Sequence, residues 1–245
     1  MQEQGHDIGL FARWNEWRTR HAFGGSAREM AYQLIRDKII HLEFKPGEAL
    51  NDRLLAEALD MSRTPVREAL IMLASTNMVV FKPQSGTFVA PIDTEWMEME
   101  QFSRCALEKE VVSFACDRMT EEFAQKYEEN LQMYRHYASS PTPDRERHML
   151  ELDNDFHRLA FTAAGRENNY FHMLGSMQHI ERMRFLSLLV VNQDEIYQDH
   201  LEISRALLDR DTVSALACLE RHLNRYQDHL RLIQNRFPEY FNIGD

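Results

Sequence analysis

Ten residues at positions 61–70, with the sequence MSRTPVREAL, constrain the fold more than any other part of the chain. Ser62 is of a type that caps helices, and Pro65 falls early in the first turn, where its missing N–H costs little. Arg63, Thr64 and Arg67 lie off the apolar stripe, near a helix N-terminus whose free N–H groups favour phosphate. A helix with an apolar back and an arginine-bearing edge suits reading of the DNA major groove. The apolar residues at helical spacing are Val66, Ala69, Leu70 and Leu73.

Two helices are predicted before this segment. Ser26 followed by Glu29 has the spacing of a capping box, and apolar residues at helical spacing extend the first helix to about Glu43. A Pro-Gly pair at 46–47 ends it, and Asn51 can cap the second helix.

A β-hairpin is predicted after the third helix. Strand-forming runs at 79–82 and 87–90 are joined by residues 83–86, with the sequence PQSG. Three helices and a hairpin predict a winged helix-turn-helix, in which Gly86 would let the wing backbone lie close to a minor groove.

Residues 26–92 resemble the DNA-binding domain of GntR-type bacterial transcription regulators. The resemblance rests on the runs KPG at 45–47, LLAE at 54–57, SRTPVREAL at 62–70 and SGTFV at 85–89. It implies a set of operator contacts to bases or phosphates, with a glycine at the tip of the wing. The residues are Arg53, Arg63, Thr64, Arg67 and Gly86.

Three positions depart from the usual pattern of that family. Asn51 replaces a serine, Asp60 replaces a common glycine, and Asn77 lies where an acidic-glycine turn is usual. Because Asn and Asp tolerate a left-handed backbone conformation, we expect the turns at these positions to form as they do in the family.

The formal net charge of −11 is unevenly distributed along the 245 residues. Residues 26–92 carry eight basic and eight acidic side chains, and residues 1–25 carry three of each. The whole net charge therefore lies in residues 93–245, with 17 basic and 28 acidic side chains. Such a division favours weak non-specific attraction to DNA, with specificity left to a few positioned arginines.

Neither a disulfide framework nor a membrane segment is predicted. Cys105, Cys116 and Cys218 have no metal-type spacing, and we expect them to be small core residues. The longest strongly apolar stretch, 185–191, is too short to span a bilayer, and the N-terminus has no signal pattern. These features predict a cytoplasmic protein without a membrane partner.

The remaining chain predicts an N-terminal arm at 1–25, an all-helical antiparallel bundle at 93–237 and a short tail at 238–245. The fold class is therefore mainly α, a winged helix-turn-helix followed by a helical bundle. The helical segments of the bundle are predicted at 94–118, 121–138, 144–163, 168–191, 193–209 and 211–235.

A set of potential metal ligands lies within this bundle. Asp153 and His157 are four residues apart and project from one helix face, while His200 and His222 lie on two later helices. A carboxylate and three imidazoles suit Zn²⁺, Ni²⁺, Mn²⁺ or Fe²⁺. The alternative is that the Asp/His pair only stabilises a helix face.

Residues 95–235 resemble the ligand-sensing FCD domain of the FadR branch of the GntR family. The runs that carry this resemblance are RCALE at 104–108, DNDFH at 153–157, DH at 199–200 and RHL at 221–223. The resemblance implies that the Asp and three His hold a divalent ion, with Zn²⁺ the first choice, and that a small carboxylate completes its coordination. Arg104 would face the effector carboxylate, unless it forms a structural salt bridge to Glu108. Arg184 and Asn192 are further candidates for effector binding.

Joined together, the two halves predict a homodimeric transcription factor that reads an inverted repeat in double-stranded DNA. A carboxylate effector would change the spacing of the two reading heads, and release of DNA would make the protein a repressor. Two alternatives stay open: a metal-free pocket for an organic acid or acyl thioester, and a metal-dependent hydrolase. The hydrolase is the less favoured of the two, because the sequence has no general base at a suitable spacing next to the proposed ligands.

Overall fold

The computed structural model describes residues 26–241, which form two compact units. The first unit ends at Ala90 and the second begins at Pro91. The arm predicted at 1–25 and the last four residues of the predicted tail lie outside the described residues.

Within residues 26–90, the first unit contains three helices and a small antiparallel sheet with the strand order β1-β3-β2. The predicted winged helix-turn-helix is confirmed, and the short strand β1 is an addition that the sequence patterns did not predict. The elements are α1 (Ala27–Ile40), β1 (Ala49–Leu50), α2 (Asp52–Ala58), α3 (Arg63–Ser75), β2 (Val79–Lys82) and β3 (Gly86–Val89).

Local signals position most of these elements. The capping box of Ser26 and Glu29 is present, and the Asn51 side chain accepts hydrogen bonds at the start of α2. Asp60 and Asn77 have φ values of 50° and 56°, which confirms the expected left-handed turns. Lys82 pairs with Gly86 across the hairpin, and Gly86 has a φ of 116° that other residues rarely adopt.

Two local predictions were wrong. Helix α1 ends at Ile40 rather than near Glu43, because Leu42 takes a left-handed φ of 57°. Ser62 occupies the N-cap of α3, but its side chain makes no capping hydrogen bond. The physical reason is Pro65, which stands at the third helical position and lacks the N–H that a capping serine commonly binds.

The apolar stripe of α3 forms much of the core of this unit. Val66, Ala69, Leu70 and Leu73 are at most 2% exposed, as their spacing predicted. Full burial of a valine or leucine side chain stabilises the folded state by about 1.5–3 kcal/mol. The stripe therefore fixes the rotation of α3 and leaves Arg63, Thr64 and Arg67 exposed.

The second unit is a helical bundle of seven helices within residues 91–241, and the mainly helical fold class is confirmed. Helix α4 packs against α6, α8 and α10. The helices are α4 (Thr94–Cys116), α5 (Glu121–Ser139), α6 (Arg145–Ala163), α7 (Glu167–Ser176), α8 (Gln178–Val190), α9 (Gln193–Leu208) and α10 (Thr212–Arg236).

The single helix predicted at 168–191 is two helices, separated at Met177. The buried carboxylate of Glu100 on α4 accepts hydrogen bonds from the backbone N–H groups of Gln178, His179 and Ile180, at 3.0, 2.8 and 2.8 Å. These are first-turn groups that a helix cannot satisfy by itself. A residue that is distant in the sequence therefore satisfies the first N–H groups of α8 and fixes where this helix begins.

Within the predicted tail, Pro238–Tyr240 form a 3₁₀ turn and buried Phe241 bridges to Ile92. The expectation for the cysteines needs correction, because only Cys116 of the three is fully buried. Over residues 26–241, no helix is both long and apolar enough to cross a membrane.

The contribution of Glu100 to the stability of the bundle should fall as the pH rises through its titration. Burial raises the pKa of Glu100 from 4.5 to about 7, even though its backbone hydrogen bonds oppose this shift. The folded state therefore holds this proton more tightly than the unfolded state, and the associated stability is lost between pH 4.5 and about 7. We expect this contribution to change by roughly 3 kcal/mol at most, measured as the difference in the free energy of urea unfolding between the wild type and a variant without the carboxyl group. The buried histidines have lowered pKa values and change the stability in the opposite direction, but they are the same in both proteins.

A Glu100→Gln variant should gain stability relative to the wild type as the pH rises, because the amide oxygen still accepts hydrogen bonds but does not titrate. Exposed Glu98 lies on the same helix and provides the matched control, Glu98→Gln. An equal pH-dependent difference from the wild type in both variants would contradict the assignment to Glu100.

Candidate metal centre and DNA-reading face

The exposed edge of α3 carries three of the predicted DNA-contacting residues. Arg63 and Thr64 occupy its first two positions, and Arg67 follows one turn later. A groove of about 940 Å³ lies between α3 and the hairpin, lined by Arg63 and Arg67 on one side and Lys82 and Gly86 on the other. The first unit thus brings both arginines and the wing tip to one concave surface.

Arg53 is placed differently from the two arginines of α3. It lies on α2 outside the residues that line the groove, and its Nε donates to Glu57 at 2.9 Å. Thr64 is exposed but also lies outside the groove lining.

The four predicted metal ligands converge in the second unit. Asp153 and His157 lie one turn apart on α6, His200 lies on α9 and His222 on α10. All four are buried, and each offers a ligand atom within 4.8 Å of the others. His157 Nε2 is 3.2 Å from His222 Nε2, and His200 Nε2 is 3.0 Å from Asp153 Oδ1.

Burial keeps the three imidazoles neutral. It lowers the pKa of His157, and it lowers those of His200 and His222 well below the ordinary value. Neither ring nitrogen of His200 makes a hydrogen bond to the described residues. Neutral imidazoles with available lone pairs are the form in which histidine binds a metal ion.

Glu108 links the cluster to Arg104 on α4. Its carboxylate lies 2.6 Å from Arg104 Nε and 2.6 Å from His157 Nδ1. Burial alone would raise the pKa of Glu108, but the charge of Arg104 and the hydrogen bond from His157 outweigh it and lower that pKa. The contact with Nδ1 leaves His157 Nε2 directed at the cluster, the arrangement commonly found around metal-binding histidines.

Asp199 stands in a similar position behind His222. Its Oδ2 lies 3.5 Å from His222 Nδ1, and its Oδ1 accepts a hydrogen bond from Arg225 at 2.9 Å. Burial opposes ionisation of Asp199, but the hydrogen bonds from Arg225 outweigh it and lower its pKa. Two of the three histidines therefore have a buried carboxylate on the side away from the cluster.

A cavity with about 70 Å³ of water-accessible space adjoins the cluster. Asp153 and His222 line it together with Arg104 and Arg184. The volume exceeds that of one water molecule several times over, so a small acid fits its dimensions. Arg184 forms ion pairs with Asp153 and Glu181 and donates to Asn154 at 2.7 Å.

The expectation for Asn192 is not supported. Its side chain accepts a hydrogen bond from the backbone N–H of Asp194 at 3.0 Å and caps α9, and it is not among the residues lining the cavity. The neighbouring Gln193 lines the cavity and accepts a hydrogen bond from Tyr134 at 2.9 Å. The sequence patterns also missed Arg225 and His229, which line the same cavity.

Comparisons with known proteins agree with this architecture. The family model "Bacterial regulatory proteins, gntR family" matches residues 27–89, and the model "FCD domain" matches residues 99–225. The chain belongs to the GntR family and carries an FCD domain. It is therefore a transcriptional regulator of the GntR/FCD class.

A similar curated relative is the HTH-type transcriptional repressor RspR of Escherichia coli. It is 27% identical over 215 residues, covering 87% of this chain and 93% of the relative. Two solved structures show the same fold. The E. coli protein McbR/YncC has a TM-score of 0.70 at 18% identity, covering 87% of this chain and 99% of that one. A GntR regulator from Rhodococcus sp. RHA1 has a TM-score of 0.66 at 22% identity, covering 86% and 99%.

Replacing Glu108 should destabilise the FCD domain strongly. In Glu108→Gln the buried guanidinium of Arg104 loses its counter-charge, and removal of one partner of a buried ion pair costs about 3–5 kcal/mol. The measurement is the free energy of unfolding in urea at neutral pH. The matched control is Glu110→Gln, an exposed position on the same helix, for which we expect a change within about 0.5 kcal/mol. Equal effects at both positions would contradict the pairing.

Proposed function

We propose that this GntR/FCD regulator is a homodimeric repressor whose operator binding is controlled by a small carboxylate bound at a divalent metal ion. The observation that carries the proposal is the buried cluster of Asp153, His157, His200 and His222 beside a cavity lined by arginines. One ionised carboxylate and three neutral imidazoles suit Zn²⁺ first, and also Ni²⁺, Mn²⁺ or Fe²⁺.

The fit of a metal ion is supported by the polar atoms of the cluster. Among the described residues, neither ring nitrogen of buried His200 has a hydrogen-bond partner, and such an arrangement is costly unless another group, such as an ion, uses the one lone pair of the neutral imidazole. Glu108 and Asp199 can hold His157 and His222 with their Nε2 atoms toward the ion. When bound, the ion would offer open coordination positions to oxygen ligands.

The effector site would combine that ion with two buried guanidinium groups. Arg104 and Arg184 line the cavity, and the guanidinium fork matches the geometry of a carboxylate. Asp153 and Glu108 balance these charges in the protein alone. A small carboxylate would therefore enter a site with cationic groups already in position.

The DNA-reading role belongs to the first unit. Arg63 and Arg67 lie at the groove and would reach base edges, while Arg53 and Thr64 lie outside it and would contact phosphates. Gly86 would bring the wing backbone to the minor groove. Two copies of the chain would place one α3 helix in each half-site of an inverted repeat.

Dimer formation is supported by apolar residues on the surface of the FCD domain. Trp96, Met99 and Phe102 follow one another on α4 at 44%, 53% and 77% exposure. Exposed apolar groups in one row are typical of a subunit contact. The effector would control DNA release by preferring one of the dimer geometries.

Substitution of the ligands should separate metal binding from DNA binding. His200→Ala and His222→Ala should lose the metal found in protein purified without a histidine tag, measured by elemental analysis. They should also lose the release of selected operator DNA by a panel of small acids such as acetate, lactate, malate and citrate, while operator affinity is kept. His148→Ala, on the same bundle but outside the cluster, is the control.

Retained metal in these variants would refute the ligand assignment. A metal-free wild-type protein that still responds to an acid would instead indicate an organic-acid pocket without an ion. Chelator-sensitive hydrolysis of carboxylate esters by the purified protein would favour the hydrolase alternative.

Arg67→Ala should weaken binding to an operator selected from random DNA by about 1–3 kcal/mol if the guanidinium makes a bidentate base contact. The measurement is fluorescence anisotropy with the selected site and with random-sequence duplex. An equal loss on both duplexes would make Arg67 a phosphate contact instead.

A further inference from the structure

One carboxylate on α2 contacts both arginines that border the reading groove. Asp52 Oδ2 lies 2.9 Å from Arg63 Nη2 and 2.9 Å from Arg67 Nε, and Asp52 Oδ1 accepts from Arg63 Nη2 at 3.0 Å. The Asp52 side chain is 21% exposed, compared with 57% and 67% for the two arginines. Asp52 is thus the more enclosed partner, at the base of the pair, and it also lines the groove.

The local sequence explains this geometry. Arg63 and Arg67 are four residues apart on α3, so they share one face and repel each other. Asp52 is the first residue of α2, immediately after the capping Asn51, where the free N–H groups of a helix favour a negative charge. An ionised carboxylate can accept about four hydrogen bonds, so a single Asp can hold both guanidinium groups.

We propose that Asp52 is a specificity-determining residue of the DNA-reading face, which holds Arg63 and Arg67 in fixed orientations and reduces the positive charge that non-specific DNA meets. The contact with Asp52 uses Arg67 Nε and leaves both terminal nitrogens of that guanidinium outside the contact. Two parallel N–H groups are what a bidentate contact with guanine requires. Arg67 can therefore bind a matched guanine without losing its contact with Asp52.

Phosphate binding has a different consequence. A phosphate that draws either arginine away from the groove must compete with Asp52, and it meets a group of three side chains with a net charge of about +1 instead of +2. An exposed ion pair changes an equilibrium constant by only about 1.4- to 5-fold, so this competition tunes DNA binding without preventing it. Because residues 26–92 carry no net charge, the local charge around Arg63 and Arg67 has a larger influence on the affinity for DNA.

Asp52→Asn tests the proposal, because Asn keeps the size and the acceptor oxygen but removes the charge. We expect binding to random-sequence duplex to tighten by about 3- to 10-fold at low salt, the effect of releasing two exposed ion pairs. The dependence of log K on log salt should become steeper by about one phosphate contact. The ratio of specific to non-specific affinity should fall by a similar factor, since the operator complex gains less.

The matched control is Glu57→Gln, which removes one exposed charge from the same helix but contacts Arg53 rather than the groove arginines. If Glu57→Gln lowers the specificity ratio as much as Asp52→Asn, net charge alone explains the effect and the proposal is overturned. An unchanged ratio in Asp52→Asn overturns it as well.

A second variant separates orientation from charge. Asp52→Glu keeps the charge but carries one more methylene group, which displaces the carboxylate from its position between Arg63 and Arg67. We expect wild-type affinity and salt dependence on random duplex, with weaker base preferences in a selection from random DNA. Wild-type base preferences in this variant would overturn the positioning role. Circular dichroism melting confirms that each variant is folded, and none of these measurements depends on the metal or the effector.

Discussion

Charged side chains can be buried in the FCD domain only because each one has a partner of opposite charge or a set of hydrogen-bond partners. Glu108 illustrates this constraint most clearly, since its carboxylate lies 2.6 Å from both Arg104 Nε and His157 Nδ1. The same contacts that make its burial tolerable also orient one histidine of the cluster and one arginine of the cavity. Asp199 does the same for His222 and Arg225. The stability of the bundle and the geometry of the proposed site therefore depend on the same ion pairs.

The two units use charge in opposite ways. The FCD domain encloses carboxylates, imidazoles and guanidinium groups, and it accounts for the excess of acidic side chains in the chain. The DNA-binding unit has no net charge over residues 26–92, and it presents Arg63 and Arg67 at its surface beside Asp52. Strong attraction to any DNA is thereby avoided, and recognition is left to a small number of oriented groups.

The sequence predictions were correct where a structural signal acts between neighbouring residues, and they failed where it acts between residues distant in the sequence. The capping box at Ser26, the Asn51 cap and the left-handed turns at Asp60 and Asn77 are local, and all four are present. The break at Met177 was missed because its cause, Glu100, is distant in the sequence and meets α8 only after the helices pack. The position of Asn192 outside the cavity lining has a related cause. A side chain at the start of a helix is drawn to the free backbone N–H groups nearby, and Gln193 faces the cavity instead.

The sequence by itself determined that the chain has a winged helix-turn-helix with two arginines on the exposed edge of its third helix, and that Asp153 and His157 share one helix face. These features depend on helical periodicity and capping, which act within a few residues. Only the tertiary structure decided that His200 and His222 join that pair, that Glu108 and Asp199 stand behind two of the histidines, and that Asp52 lies between Arg63 and Arg67. The physical reason is that these contacts join separate helices, so their distances depend on how the apolar faces of those helices pack rather than on residue spacing.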